Sequence, residues 1–330
     1  MRSRLLGDKS NLWCRDRALA WVLADNETVP PLSLLEVYLN SSEKTDARIT
    51  ATELGVHDPL PPCTNTYLTD LSPAYHFPND STETDRLDFQ YEILKYAFSG
   101  RNYFAPLENP KRILDIGTGT GLWAMEMGDE FPDAEVQATD LSPIQPSDVP
   151  VNVRFFIDDA SEKDWAVPEA HFDYIHTRVL LGSFTDFREI IQRAFFYTKP
   201  GGYMESQEFM SKPYCDDGTM SPDWPFLEWT RYLDDAAVEA ERPLRIANKL
   251  KNWYEEAGFV DVQEMVFKLP VNAWPKDKHL KALGSMSEDN WLTGLSGFSM
   301  AYFSRVLHWS KDEIEVSLVL PPRSNISSKC

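Results

Sequence analysis

Several carboxylates in this chain stand where strands end, and a run of glycines follows one of them. Asp115 sits at the end of Lys111-Arg-Ile-Leu-Asp-Ile, and Gly117, Gly119 and Gly121 follow at alternate positions. Glycines at such a turn let backbone N–H groups at the start of a helix approach a ligand closely. The spacing departs from G-x-G-x-x-G because Leu122 occupies the third glycine's place, so a dinucleotide fits poorly. Asp115 would repel a pyrophosphate but can accept hydrogen bonds from an ammonium. Asp140 ends Glu135-Val-Gln-Ala-Thr-Asp140, nineteen positions after Gly121, an offset that suits the hydroxyls of a ribose. Asp158 and Asp159 close Val153-Arg-Phe-Phe-Ile157, and His176 and Arg178 lie at the exit of Phe172-Asp-Tyr-Ile-His176. Ligands of open α/β sheets bind beyond such strand ends, which aims His176 and Arg178 at a substrate crevice. His176 is the leading base candidate, followed by Glu205 and Glu208.

These residues need a scaffold of alternating strands and helices. Ile113, Leu114 and Ile116 read as a buried strand, and Leu122–Phe131 as the helix after the glycine turn. Leu87, Tyr91, Leu94 and Phe98 fall at helical spacing, capped by Asp80 or Ser81. Phe184–Tyr197 reads as a helix, Lys199-Pro-Gly-Gly202 as a turn, Tyr203–Glu208 as a fifth strand and Gly258–Phe267 as a sixth. The alternation predicts an α/β fold with a doubly wound, mostly parallel sheet. Residues 210–257 read as an inserted helical lid, with Trp224, Leu227, Tyr232 and Leu233 on its substrate side. Leu32–Leu39 reads as a short helix, and Pro59, Pro61 and Pro62 mark a linker. The predicted organisation is an N-terminal extension over 1–65, partly disordered, a domain over 66–320 and a disordered tail over 321–330.

Composition removes several classes of function. The chain has 330 residues and a formal net charge of −20, which argues against direct contact with nucleic acid phosphates. The cluster Arg2, Arg4, Lys9, Arg15 and Arg17 is interrupted by Asp8 and Asp16, which argues against a transit peptide. No apolar run approaches the roughly 20 residues of a membrane span, so a soluble protein is expected. Cys14, Cys63, Cys215 and Cys330 form no C-x-x-C pair, so neither a disulfide framework nor a zinc site is expected, and no other metal.

D-x-G-x-G-x-G at a strand end resembles motif I of the class I methyltransferases, whose donor, S-adenosyl-L-methionine, carries the ammonium that Asp115 would accept. The resemblance narrows further. Tyr75 with Pro78-Asn-Asp80, Arg86-Leu-Asp88, the glycine motif with Trp123, Asp140-Leu-Ser-Pro-Ile-Gln-Pro146, Ile157-Asp-Asp159 with Trp165, Asp173–Arg178, Pro200–Glu208 and Leu269–Pro275 together resemble the fungal LaeA-like methyltransferases of secondary metabolism, over about residues 70–315. The resemblance implies a Rossmann-like fold and S-adenosylmethionine as cofactor. It implies a donor pocket of Asp115, Gly117, Thr118, Gly119, Gly121, Asp140, Leu141, Asp158 and Asp159. Within it Asp159 would take the adenine amino group, Trp165 would wall the ring, and Tyr75 and Arg86 would meet the methionine end. It also implies one of two roles: a tailoring enzyme acting on a small-molecule or protein acceptor, or a regulator binding a velvet-type partner. The expected location is cytoplasmic or nuclear.

A last expectation concerns the C-terminus. Class I methyltransferases normally end in an antiparallel seventh strand inserted between strands five and six. Ser310-Lys-Asp-Glu313 is a capping-box pattern directly before Ile314–Leu320, so a helix over about 311–320 is predicted, with no seventh strand in the sheet.

Overall fold

The computed structural model describes residues 33–44, 81–216, 218 and 220–314. Strands are β1 (Ser33–Glu43), β2 (Arg112–Ile116), β3 (Glu135–Asp140), β4 (Val153–Ile157), β5 (Phe172–Arg178), β6 (Thr198–Cys215) and β7 (Val260–Pro270). Helices are α1 (Ser81–Ala97), α2 (Leu122–Glu130), α3 (Phe187–Tyr197), α4 (Pro225–Glu239), α5 (Leu250–Ala257) and α6 (Lys278–Ser299), the last running into a π-turn at Met300–Ser304. The strands form one sheet in the order β4-β3-β2-β5-β6-β1-β7. Neighbours from β4 to β6 are parallel, and β1 is antiparallel to both β6 and β7.

Two expectations are corrected here. The sheet has its seventh strand, and that strand comes from the N-terminal side of the chain: Ser33–Glu43 fills the slot between β6 and β7 where a C-terminal strand was expected to be missing. The reading of Leu32–Leu39 as a helix fails for the same reason. Leu32, Leu35 and Leu39 fall at helical spacing and no strict alternation runs through the stretch, so periodicity alone reads it as a helix. The domain therefore includes residues upstream of 66. At the other end Lys311–Ile314 is helical and Ser310 accepts the predicted cap, its backbone N–H donating to Glu313 at 2.8 Å. The remainder of that predicted helix lies outside the described residues, as do Tyr75 and the tail.

The sheet carries helices on both faces. Met127, Ala124 and Trp123 of α2 pack with Ile113, Val136 and Val153 on one side. On the other, Ile190, Ile191 and Ala194 of α3 and Leu250 and Tyr254 of α5 cover Leu114, Ile116, Ile175 and Met204. α5 is thus an ordinary sheet-covering helix, and β6 continues to Cys215, so the insertion is narrower than 210–257 and centres on α4. A third cluster joins α1, α4, α6 and the π-turn through Leu94, Phe226, Trp229, Leu233, Leu295 and Tyr302.

Candidate active site

β2 and β5 lie side by side, with Asp115 paired in register with His176. The His176 Nδ1–H donates to Asp115 Oδ1 at 2.8 Å, and the imidazole stacks on Trp123 with ring centroids 3.7 Å apart and 5° between planes. Burial pushes the His176 pKa below its ordinary value, with Asp115 acting in the opposite direction. The ring is therefore neutral near pH 7, and Nε2 keeps a lone pair with no partner among the described residues.

Beyond Asp115 the backbone turns through left-handed conformations at Gly117 (φ 66°), Gly119 (φ 59°) and Gly121 (φ 86°), which starts α2. A Cβ on Gly117 would stand 2.4 Å from Leu180 Cδ2, whereas one on Gly119 would meet nothing within 4 Å. Gly117 thus serves packing and Gly119 opens to the cavity. Asp140 braces this turn from the end of β3: Oδ2 accepts from Gly119 N–H at 2.8 Å and Oδ1 from Ser142 N–H at 2.9 Å. Burial raises the Asp140 and Asp158 pKa values, and neighbouring Glu162 adds to the second.

A cavity of about 270 Å³ connects this turn to an aromatic wall. Of the predicted residues, Arg86, Asp115, Gly117, Thr118, Gly119, Asp140, Leu141, Asp158, Asp159 and His176 line it. Others do not. Gly121 faces Phe155, and Trp165 stacks on Tyr197 while its Nε1–H donates to the Ala160 carbonyl, supporting the cavity wall from behind. Glu205 and Glu208 are corrected as acid–base candidates, because both are fully buried off the cavity and hold backbone amides. Glu205 Oε2 accepts from Phe104 and Ala105 N–H at 2.9 Å each, and Glu208 accepts from Leu180 and Leu181. Arg86 lines the cavity as a strut between α1 and α6: it makes a two-point pair with Glu83 and donates to Gln90 and Asn290, so its charge is already matched.

Arg178, aimed by the sequence at the crevice together with His176, is the guanidinium with capacity to spare. It donates to Gln207 Oε1 at 2.7 Å and the Asn102 carbonyl at 3.1 Å, and it lies over the Tyr91 ring, while Nη1 is buried without a partner among the described residues. The aromatic wall was missed in part. α4 presents Phe226, Trp229, Thr230 and Leu233 to the cavity, and α6 adds Trp291 and Phe298; Leu227 and Tyr232 lie off it. The helical repeat of 226, 229/230 and 233 carried that signal; the pairing with α6 had no local trace.

The residues suit S-adenosylmethionine. Thr118 Oγ1, His176 Nε2 and Arg178 Nη1 are buried polar atoms without partners among the described residues, all in one cavity, beside an acid that can meet an ammonium and a glycine that leaves room. Buried polar groups are nearly always satisfied, so this set marks a ligand with matching groups. A strand, a glycine loop and a helix, followed by an acid at the end of the next strand, form the donor half of a class I methyltransferase. A family model described as a methyltransferase domain matches residues 89–264. The chain is 41% identical over 245 residues to the methyltransferase pytC of Aspergillus terreus, covering 74% of this chain and 75% of that one. It is 37% identical to the secondary metabolism regulator LAE1 of Cochliobolus heterostrophus, over 71% and 78% of the two chains. It is 32% identical to the protein-methionine methyltransferase laeA of Emericella nidulans, over 73% and 65%. The chain belongs to the LaeA-like S-adenosylmethionine-dependent methyltransferases. No described helix is long and apolar enough to cross a membrane, and no group of three His, Cys, Asp or Glu among the described residues could hold a metal.

Proposed function

We propose that the protein methylates a small molecule with an apolar, aromatic body, held between α4 and α6. The observation that carries this reading is the continuity of one cavity from the Gly117–Gly119 turn to Phe226, Trp229, Trp291 and Phe298. Bound S-adenosylmethionine supplies a methyl group that is already strongly electrophilic. The protein's part is then to hold the acceptor in line and exclude water. Asp115 accepts from the donor's ammonium, the free Nη1 of Arg178 meets its carboxylate, and Asp140 uses its remaining lone pairs for ribose hydroxyls. Neutral His176 has the free lone pair with which to take a proton from a hydroxyl or amine acceptor.

The test combines purified protein, methyl-labelled donor, and separated small-molecule and protein fractions of a fungal extract. Label in the small-molecule fraction is the expected result, and no label in either fraction refutes an enzymatic role. A second reading is favoured by the relatives named as regulators and as a protein-methionine methyltransferase. A thioether has a lone pair and no proton to lose, so a protein methionine would need no base. In that reading the label enters the protein fraction, and the protein works in the nucleus beside a velvet-domain partner. Co-purification with such a partner checks that part. The small-molecule reading places the protein in the cytoplasm.

A further inference from the structure

Glu208 sits on β6 with 0% of its surface exposed, yet it carries a carboxyl. Its Oε1 accepts from Leu180 N–H at 2.8 Å and its Oε2 from Leu181 N–H at 3.1 Å. The turn held this way is strained, because Val179, a β-branched residue, has φ +54°. Such a conformation persists only where surrounding contacts impose it. Val179 N–H donates to the Gln207 carbonyl at 2.9 Å, so β6 grips the turn from two consecutive residues. The turn in turn touches the donor loop: Leu180 packs so tightly over Gly117 that a methyl group there would stand 2.4 Å from Leu180 Cδ2. Val179, Leu180 and Leu181 all line the cavity.

Resting on the donor reading above, we infer that Glu208 is a positioning residue for the donor pocket. Its carboxylate clamps the Val179–Leu181 turn, and through Leu180 the Gly117 loop, in the shape that receives S-adenosylmethionine. Two accepting oxygens are required, since two adjacent N–H groups point at one carboxyl. Protonation turns one oxygen into a hydroxyl and leaves one of those amides poorly matched.

Burial pushes the Glu208 carboxyl up to about 8. Two quantities then move in opposite directions. The clamp is complete above about pH 8 and loosens as pH falls through it, so donor affinity rises with pH. Fold stability falls over the window from 4.5 to about 8, because there the folded state binds a proton that the unfolded state has released. A carboxyl that served stability alone would not produce this opposition. Few other charges face the site. Tyr254 of α5 is a titratable neighbour whose own pKa is raised, first by burial and further by Glu205 and Glu208. Tyr38 stands opposite in the β1 register, and Arg242 donates to the Ser183 carbonyl at the far side of the turn. Glu228, Arg231 and Asp235 of α4 and nearby Lys249 are exposed, and Asp234 is engaged by Arg245. On β5, Arg178 and His176 pair in register with Gln207 and Glu205.

The experiment is calorimetric titration of the full chain with S-adenosylhomocysteine from about pH 6 to about pH 8.5, below the loss of the ligand's own ammonium, for wild type and Glu208→Gln. The amide offers one acceptor and sets its NH₂ against the second N–H. Wild-type affinity should rise about fivefold across the range, the equivalent of one ordinary hydrogen bond. Glu208→Gln should bind at the weak, low-pH level throughout, with a flat profile. Adding Val179→Gly, which relieves the φ strain, should restore part of the lost affinity. A wild-type affinity that does not change with pH overturns the inference, and that measurement stands even if the variant fails to fold. A Glu208→Gln profile parallel to wild type overturns it equally. Failure of wild type to bind at any pH overturns the donor reading itself, and this inference with it.

Discussion

The N-terminal strand is the element whose removal should have the largest effect. β1 has 11 residues and lies inside the sheet with partners on both edges, so its N–H and C=O groups pair with β6 on one side and β7 on the other. Deleting residues 1–44 removes this ladder and opens two facing edges. Counting only about ten net hydrogen bonds at ~0.5–1.5 kcal/mol each gives ~5–15 kcal/mol. That equals the whole stability of an ordinary domain, about 5–15 kcal/mol. Fully buried Leu39 adds roughly 2 kcal/mol of apolar burial. The truncated chain should therefore lack a cooperative melt by circular dichroism and fail to bind S-adenosylhomocysteine. A synthetic peptide of residues 33–43 added in trans should recover both. The test is sharp because the truncated chain keeps all of the family-defining stretch 89–264. If it melts within a few degrees of the full chain, β1 is a passenger and the reasoning fails.

Three further outcomes follow from the site and the sheet. Asp140→Asn keeps the shape of the side chain but loses one of two accepted backbone bonds, at Gly119 or Ser142, and should weaken S-adenosylhomocysteine binding about tenfold by calorimetry. Trp291→Ala, on the cavity's aromatic wall and away from the donor turn, should leave the donor Kd near wild type while acceptor methylation in the labelled-donor assay drops about tenfold or more. Asn40 is 0% exposed with neither side-chain polar atom paired among the described residues, so Asn40→Val should raise the melting temperature, on the order of 1–3 kcal/mol in stability.

The donor half was legible because its chemistry is local. Asp115, Gly117, Gly119 and Asp140 lie at strand ends or in the turn that follows, and a strand end beside a glycine turn fixes where backbone amides and carboxylates point before any tertiary contact is known. The acceptor half is assembled from α4 and α6, whose cavity-lining residues lie more than fifty positions apart, and nothing in either helix announces the other. Carboxyls misled for a related reason. Glu205 and Glu208 stand on the strand next to the crevice, as a base would, and only the folded structure shows that each is turned to backbone amides. β1 escaped detection because Leu32, Leu35 and Leu39 fall at helical spacing, and Asn40, Ser41 and Ser42, all buried, gave it a polar end that reads as loop.

These same residues tie the sheet to the pocket. In register, β1 sets Ser41 opposite Glu205 and Tyr38 opposite Glu208. Glu205 holds Phe104 and Ala105, next to the Asn102 carbonyl that accepts from Trp123, Arg178 and Gln207. Glu208 holds the turn that presses on Gly117. β6 therefore sends one carboxyl to each wall of the donor pocket, one bracing Arg178 and the Trp123–His176 stack, the other bracing the glycine loop. β1 covers the edge of the strand that carries both. Mild damage to β1, such as Leu39→Ala, should then weaken S-adenosylhomocysteine binding under conditions where the chain is still folded, because β6 can shift without the sheet coming apart. Donor affinity equal to wild type in a folded Leu39→Ala variant with a lowered melting temperature would show that β1 supports the fold without reaching the pocket.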